Sequence, residues 1–203
     1  LQGLVSHATQ QFFNCISVDG DTSTNDSIIA ASNGASKVVI NSAEKKYEKD
    51  WRNFQNAFLE LCEELAKSIV FDGEGATKFI TIETINVKSF EETKMVGLAI
   101  ANSPLVKTAF YANDPNLGRI LAAIGNAGLV DFDNENLSLK INDYVVFEKG
   151  ELKPDYDEEA AKQEILKKEI LIQVILNRGS VSGRFFTCDL SHDYISINSD
   201  YRT

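Results

Sequence analysis

A long amphipathic segment limits the ways in which this chain can fold. Between Tyr47 and Val70, apolar side chains recur at three- and four-residue steps, the spacing of one face of an α-helix. The motif DGEGATK follows at 72–78, and its glycines flank Glu74 and permit backbone conformations that other residues resist. A strand-like run at 79–85 comes next. The pattern therefore predicts a long helix, a glycine-rich junction and a strand, in that order.

Further helices and strands are interspersed along the rest of the chain. Predicted helices cover 90–102, the residues after Pro115 with Asn113 or Asp114 as cap, and a segment that begins in the acidic run 155–159. The predicted strands are a run at 105–111, a hairpin within 134–153 that turns at 149–150, and late runs at 169–177, 185–190 and 194–198. This mixture favours an α/β fold of the α+β type, with mixed layered sheets and flanking helices. We expect one domain over 1–203, with a candidate smaller lobe within 131–203.

A second polar motif, DGDTSTND at 19–26, lies between the apolar runs 12–18 and 28–31. Small polar side chains there can satisfy backbone donors, which predicts a tight hydrogen-bonded turn between two core segments. Asp19 and Asp21 also resemble the start of the motif of haloacid-dehalogenase-type phosphatases, which hold magnesium, although Ser23 departs from that motif. A calcium loop fits less well, because its sixth position lacks glycine and its twelfth is Ala30. We favour the turn.

Composition argues against several classes of function. The chain has 30 acidic and 20 basic residues, and its formal charge of −10 argues against a nucleic-acid partner. No apolar run approaches the roughly 20 residues that cross a bilayer, so no membrane partner is expected. The three cysteines, Cys15, Cys62 and Cys188, lack CxxC spacing and are interpreted as buried reduced thiols. His7 and His192 lack neighbours at metal-ligand spacing, and no metal site is predicted.

The motif DGEGATK allows two interpretations. It does not match the phosphate-binding pattern GxxxxGK[ST], because the spacing of Gly73 and Lys78 differs from that pattern. It is either a plain helix-to-strand junction or a turn that displays the Glu74 carboxylate where a ligand can come close. The chain also lacks the GxSxG motif of serine hydrolases. Residue patterns alone therefore predict an α/β domain with two polar turns.

Four segments together resemble one known family. They are DGDTSTND at 19–26, DGEGATK at 72–78, NDPNLGRILAAIGNAG at 113–128 and INSDYRT at 197–203. This set resembles the β chain of ornithine acetyltransferase, the glutamate N-acetyltransferase of arginine biosynthesis. The resemblance implies a self-cleaving N-terminal-nucleophile fold, shared with a family of aminopeptidases, and an α chain of the same precursor that completes an α2β2 heterotetramer. The nucleophilic Thr would lie upstream of Leu1, so the resemblance assigns no catalytic residue to this chain.

The resemblance also implies a reaction and its binding residues. Acetyl would pass from N2-acetyl-L-ornithine to the threonine and then to L-glutamate by a ping-pong mechanism, with acetyl-CoA as a further candidate donor and no cofactor. Glu74 would meet a substrate ammonium group, while Asn198 and Thr203 would orient polar ends of the ligand. Residues 14–17 look like those of fungal relatives, which implies the mitochondrial matrix, and the cytoplasm otherwise. The alternatives are an aminopeptidase, a magnesium-dependent phosphatase or a non-catalytic partner chain.

Overall fold

The structure is a computed structural model that describes residues 1–201. Helices and strands are interspersed along these residues. The helices are α1 (Gln2–Gln11), α2 (Glu48–Phe71), α3 (Phe90–Ala101), α4 (Pro104–Tyr111), α5 (Leu117–Gly125), α6 (Glu158–Ile165) and α7 (His192–Asp200). The strands are β1 (Ile16–Ser17), β2 (Phe79–Val87), β3 (Ser138–Ile141), β4 (Tyr144–Glu148), β5 (Glu151–Leu152), β6 (Glu169–Ile175) and β7 (Val181–Cys188). They form one mixed sheet in the order β1-β7-β2-β6-β3-β4-β5. The predicted class, mixed α/β layers with flanking helices, is confirmed.

The sheet brings three chain segments to one edge. β2 pairs antiparallel with β7 and parallel with β6, and β1 pairs parallel with β7. β1 and β7 therefore end at the edge where β2 begins. The residues that follow β1, precede β2 and follow β7 meet there. These residues include both polar motifs, 19–26 and 72–78.

Side chains alternate across the sheet and face two hydrophobic layers. Ile80 and Ile82 of β2 lie in the main core, which α3, α4, α5 and α6 cover. Phe79 points to the opposite side, where it packs with Val70 of α2 and Phe186 of β7. α1 packs against α2. The candidate site lies at the end of the sheet between these layers, where β2 and β7 meet.

Gly97 allows α3 to approach the sheet closely. A Cβ atom at Gly97 would lie 2.1 Å from Cδ2 of Phe185 in β7. We expect Gly97→Ala to lower the free energy of unfolding of the full-length protein by about 1–3 kcal/mol, because the ring must leave its place in a close-packed core. Urea denaturation measures this loss. Gly125→Ala is the matched control, since a Cβ there meets nothing within 4 Å; equal losses in both variants would contradict the interpretation.

Several predicted elements are present at their expected places. α2 covers the amphipathic segment, and residues 72–78 connect it directly to β2. α3 matches the predicted helix at 90–102, and α6 begins within the acidic run, as predicted, with Asp157 as its cap. β3 and β4 form the predicted hairpin, but their turn lies at 142–143, and the turn at 149–150 connects β4 to β5. Short-range patterns therefore located most elements.

Two predicted strands are wrong. Residues 105–111 lie in α4 and residues 194–198 lie in α7. The side chains of Ser103 and Ser191 cap these helices by accepting backbone N–H groups of Val106 and Tyr194. Pro104 occupies the first helical turn, where the missing N–H has no partner to lose. β-branched and aromatic residues suggested strands, but the caps start helices.

Two further details differ from expectation. Asn116, rather than Asn113 or Asp114, caps α5 through its side-chain oxygen. The run 28–31 was expected in the core, yet 85 % of the surface of Ile29 is exposed, because nothing among residues 1–201 covers it. Over those same residues, each helix is too short or too polar to cross a bilayer.

Candidate functional site

Glu74 and Asn198 lie in direct contact. Glu74 belongs to the 72–78 turn, and Asn198 lies on α7. The Asn198 Nδ2 donates to Glu74 Oε2 over 2.5 Å and to the carbonyl of Tyr194 over 3.0 Å. Both side chains are exposed, so a ligand can reach them. The third predicted ligand, Thr203, lies outside the described residues.

A buried carboxylate holds the chain directly after Glu74. Only 2 % of Asp189 is exposed, immediately after β7. Its Oδ1 accepts the backbone N–H groups of Thr77 (2.8 Å) and Lys78 (2.9 Å), and its Oδ2 accepts the Thr77 hydroxyl (2.5 Å). Charge-assisted bonds of this kind are stronger than neutral ones. Asp189 was not predicted from the sequence, although a lone carboxylate directly after the apolar run 185–188 was a usable signal.

The start of α7 packs directly on Gly75. The φ angle of Gly75 is +66°, and a Cβ there would lie 2.7 Å from both Ser191 Oγ and the Tyr194 nitrogen. The Ser191 hydroxyl donates to the Gly75 carbonyl over 2.7 Å. Glycine is therefore required at this position for both its backbone conformation and its lack of a side chain. Together with Asp189 and Asn198, Ser191 joins the 72–78 turn to the end of the chain.

The motif at 19–26 forms the predicted hydrogen-bonded turn. Asp19 Oδ1 accepts the backbone N–H of Asp21 over 2.9 Å, and the Ser23 hydroxyl accepts two further backbone N–H groups. The other carboxylate oxygen, Asp19 Oδ2, accepts the Tyr194 hydroxyl over 2.9 Å. The turn is thus connected to α7. The role of Tyr194 was not predicted, because its segment was expected to be a strand and is a helix.

The surroundings of Tyr194 are anionic. The hydrogen bond to Asp19 raises the pKa of Tyr194 to about 12, and partial burial and the charges of Asp19, Glu74 and Asp21 act in the same direction. The phenol therefore remains a donor at neutral pH. Three carboxylates near one phenol, with Glu74 itself exposed, suit a ligand that carries an ammonium group.

Two buried lysines fasten the strand ends beside the site. Lys107, 2 % exposed, donates to the carbonyl of Cys188. Burial lowers the pKa of Lys107, and the nearby Cys188 and Asp189 partly offset this shift. Lys78 donates to Asn113 Oδ1 over 2.6 Å, and burial lowers its pKa as well, against the charge of Asp189. Both amines face protein groups, so we interpret them as structural.

The cysteines are buried free thiols, as predicted. Burial raises the pKa of Cys15 to about 11 and also raises the pKa of Cys62 and of Cys188. These groups therefore stay protonated at neutral pH and act as packing residues. In the described part of the chain, no group of three or more His, Cys, Asp or Glu side chains is placed to hold a metal ion.

Comparison with known families assigns the whole chain. The family model described as the ArgJ family matches residues 1–203. The chain belongs to the ArgJ family. This assignment confirms, at the level of the family, the resemblance carried by the four motifs.

Relatives within the ArgJ family are similar over the full chain. Proteins named arginine biosynthesis bifunctional protein ArgJ, from Neisseria meningitidis serogroup B and Neisseria gonorrhoeae, are each 44 % identical over 205 residues. These matches cover 100 % of this chain and 50 % of each relative, so the chain spans about half the length of the curated relatives it matches. The crystal structure of ArgJ from Bacillus halodurans superposes with a TM-score of 0.90 at 38 % identity, covering 98 % of this chain and 92 % of that chain.

These ArgJ relatives come from bacteria and give no support to a fungal type. The fungal interpretation depended on residues 14–17, a stretch too short to distinguish branches of one family. The mitochondrial matrix therefore loses its supporting argument. The compartment remains a prediction that none of these comparisons tests.

Proposed function

We propose that this chain is one of two polypeptides of an acetyltransferase of arginine biosynthesis, and that it binds the amino-acid part of the substrates. The observation that carries this proposal is the exposed contact between Glu74 and Asn198 in a chain of the ArgJ family. A carboxylate can bind an ammonium group through a charge-assisted bond, and a carboxamide offers a donor and an acceptor to the rest of an amino acid. Thr203 is the third proposed ligand.

The proposed reaction is a two-step acetyl transfer. A threonine hydroxyl upstream of Leu1 attacks the acetyl carbonyl of N2-acetyl-L-ornithine, and ornithine leaves with the proton of that hydroxyl. The amine of L-glutamate then attacks the acetylated threonine and regenerates the hydroxyl. In this scheme Glu74 and Asn198 hold the departing and entering amino acids, and the nucleophile comes from outside this chain. Acetyl-CoA is a candidate donor for the first step.

The proposed partner is the other half of the full-length protein, as an α chain in an α2β2 assembly. The match covers 92 % of one chain in the Bacillus halodurans crystal structure but only 50 % of the curated Neisseria relatives. The crystal structure therefore contains a separate polypeptide of nearly the same length as this chain, which supports a division of the full-length protein into two chains. The family resemblance supplies the rest of this proposal.

An exposed apolar surface supports the same partner. The outer face of α2 carries four apolar side chains that are 40–56 % exposed: Phe54, Leu61, Leu65 and Ile69. The adjoining face of α2 is buried. A helix that is apolar around so much of its circumference normally lies inside a protein. A groove of about 1080 Å³ next to α1 is lined by Ile69 and Ile28, and it joins this face to the exposed run 28–31. Large apolar surfaces of this kind mark interfaces.

We expect Leu65→Glu to separate the two proposed chains. A charge at this position would have to be buried unpaired in the interface, which costs several kcal/mol. Co-purification of the two chains after expression of the full-length protein measures the effect, and we expect the recovered partner to fall at least tenfold. Gln163→Glu, at an exposed position of α6 on the other side of the sheet, is the matched control. Full recovery with Leu65→Glu would argue against this surface as the interface.

The proposed activity is tested on the full-length protein with N2-acetyl-L-ornithine and isotope-labelled glutamate. We expect labelled N-acetylglutamate and parallel double-reciprocal plots, since a ping-pong scheme releases ornithine before glutamate enters. Acetyl-CoA as a competing donor and a peptide substrate are separate arms of the same assay. Peptide cleavage without acetyl transfer would overturn the proposal in favour of the aminopeptidase alternative, and magnesium-dependent phosphate release would favour the phosphatase.

The origin of the nucleophile has its own test. Mass spectrometry of the purified protein should find two chains, the smaller beginning with a threonine before Leu1. Incubation with N2-acetyl-L-ornithine alone should add one acetyl group to that threonine. Acetylation of any residue within 1–203 would contradict the assignment of the nucleophile.

A further inference from the structure

Helix α7 is attached to the body of the protein mainly by polar contacts. None of its nine residues, His192–Asp200, is buried. Ile195 and Ile197 are 62 % and 44 % exposed, so apolar burial contributes little to holding this helix. His192 makes an edge contact with the ring of Tyr111 at a centroid distance of 5.6 Å. The position of Asn198 on this helix must therefore depend on hydrogen bonds.

Those hydrogen bonds form a chain between the two polar motifs. Asp19 Oδ2 accepts the hydroxyl of Tyr194, the carbonyl of Tyr194 accepts Asn198 Nδ2, and the same nitrogen donates to Glu74 Oε2. The second oxygen of Asp19 is held by the backbone N–H of Asp21, which fixes the orientation of the carboxylate. A rigid acceptor thus faces the one aromatic hydroxyl on α7. The motif at 19–26, which the proposed reaction does not use, ends in this contact.

We propose that Asp19 and Tyr194 are positioning residues of the amino-acid site: their hydrogen bond holds α7 so that Asn198 stays against Glu74. This inference rests on the proposed function of Glu74 and Asn198 and deepens it. Asp19 does not itself touch the substrate in this proposal. It acts through Tyr194, whose side chain lies on the same helical turn as Asn198 and four residues before it.

Polar attachment makes this arrangement sensitive to single atoms. Removal of the Tyr194 hydroxyl leaves the ring in place and takes away only the link to Asp19. α7 then keeps the contacts of its Ser191 cap but loses the hydrogen bond that connects it to the 19–26 turn. The Asn198 carboxamide would spend less time in contact with Glu74, and the amino-acid site would be assembled in only a fraction of molecules. Substrate affinity falls by that fraction.

The test is a double-mutant cycle in the full-length protein. Tyr194→Phe and Asp19→Ala, which leaves no side-chain acceptor for the Tyr194 hydroxyl, should each raise KM for N2-acetyl-L-ornithine about tenfold, the size expected for one hydrogen bond to a charged group. The double variant should show no more than the larger single effect, because both changes remove the same contact. Tyr201→Phe, 73 % exposed beyond the end of α7, is the matched control and should stay within twofold. Multiplied effects in the double variant would overturn the link between Asp19 and Tyr194.

Hydrogen exchange provides a readout that does not depend on activity. In Tyr194→Phe, amides of residues 192–200 should exchange several-fold faster, while amides of α5 should be unchanged. An inactive unmodified protein would overturn the proposed function, and exchange would still test the contact. An active Tyr194→Phe protein with unchanged KM and unchanged exchange would overturn the positioning role alone.

Discussion

Replacing Glu74 by Gln in the full-length protein should raise KM for N2-acetyl-L-ornithine roughly 10- to 100-fold. The side-chain ammonium group of N2-acetyl-L-ornithine loses its charged partner, a loss of about 1.5–3 kcal/mol for a hydrogen bond to a charged group. Glutamine keeps an oxygen that accepts Asn198 Nδ2, so α7 should keep its position. Steady-state kinetics with each substrate varied in turn measures the change.

Asp72→Asn is the matched control for this experiment. Asp72 is an exposed carboxylate in the same turn, two residues before Glu74. Neutralising it alters the general negative field to the same extent but removes no contact with Asn198. We expect KM within about twofold of the unmodified protein. Equal effects of the two substitutions would show that only the general field matters, and unchanged constants in Glu74→Gln would exclude an ammonium contact.

Asp189→Ala should cause the largest loss of stability among single substitutions near the site. Its removal leaves the backbone N–H groups of Thr77 and Lys78 and the Thr77 hydroxyl without their acceptor. It also removes a negative charge that faces buried Lys107. We expect the free energy of unfolding to fall by about 3 kcal/mol, measured by urea denaturation.

Asp200→Ala separates this effect from simple loss of a carboxylate. Asp200 is exposed at the end of α7, and its replacement should change the free energy of unfolding by no more than about 0.5 kcal/mol. The 72–78 turn should also become more accessible to proteases in Asp189→Ala but not in the control. A stability loss as small as that of the control would mean that the three hydrogen bonds contribute little.

Local patterns were sufficient for most elements. α2, α3 and β2 follow from periodic apolar residues, and their boundaries differ from expectation by one or two positions. The helices at 105–111 and 194–198 were predictable from nearby residues, because Ser103 and Ser191 are ordinary helix caps. In both cases, residue preference for strands was given more weight than the cap. The exposed run 28–31 is a different error, since its apolar residues predict burial but no part of residues 1–201 covers Ile29.

The candidate site was only partly predictable. Glu74 and Asn198 were named through the family resemblance, while residue patterns left the 72–78 turn open between a junction and a ligand site. Asp189 and Tyr194 were missed. Their partners are 112 and 175 positions away in the chain, so no nearby residue reports the contact.

The order of residues alone specified the long helix, the glycine junction, the strand after it and the hydrogen-bonded turn at 19–26. Each of these depends on groups that lie within a few residues of one another, so a short stretch of sequence contains the whole cause. The meeting of Asp19, Glu74 and Asn198 depends instead on β1, β7 and β2 lying side by side, with two strands ending where the third begins. Strand pairing over such distances is set by the packing of the entire core, and therefore the site exists only in the folded chain.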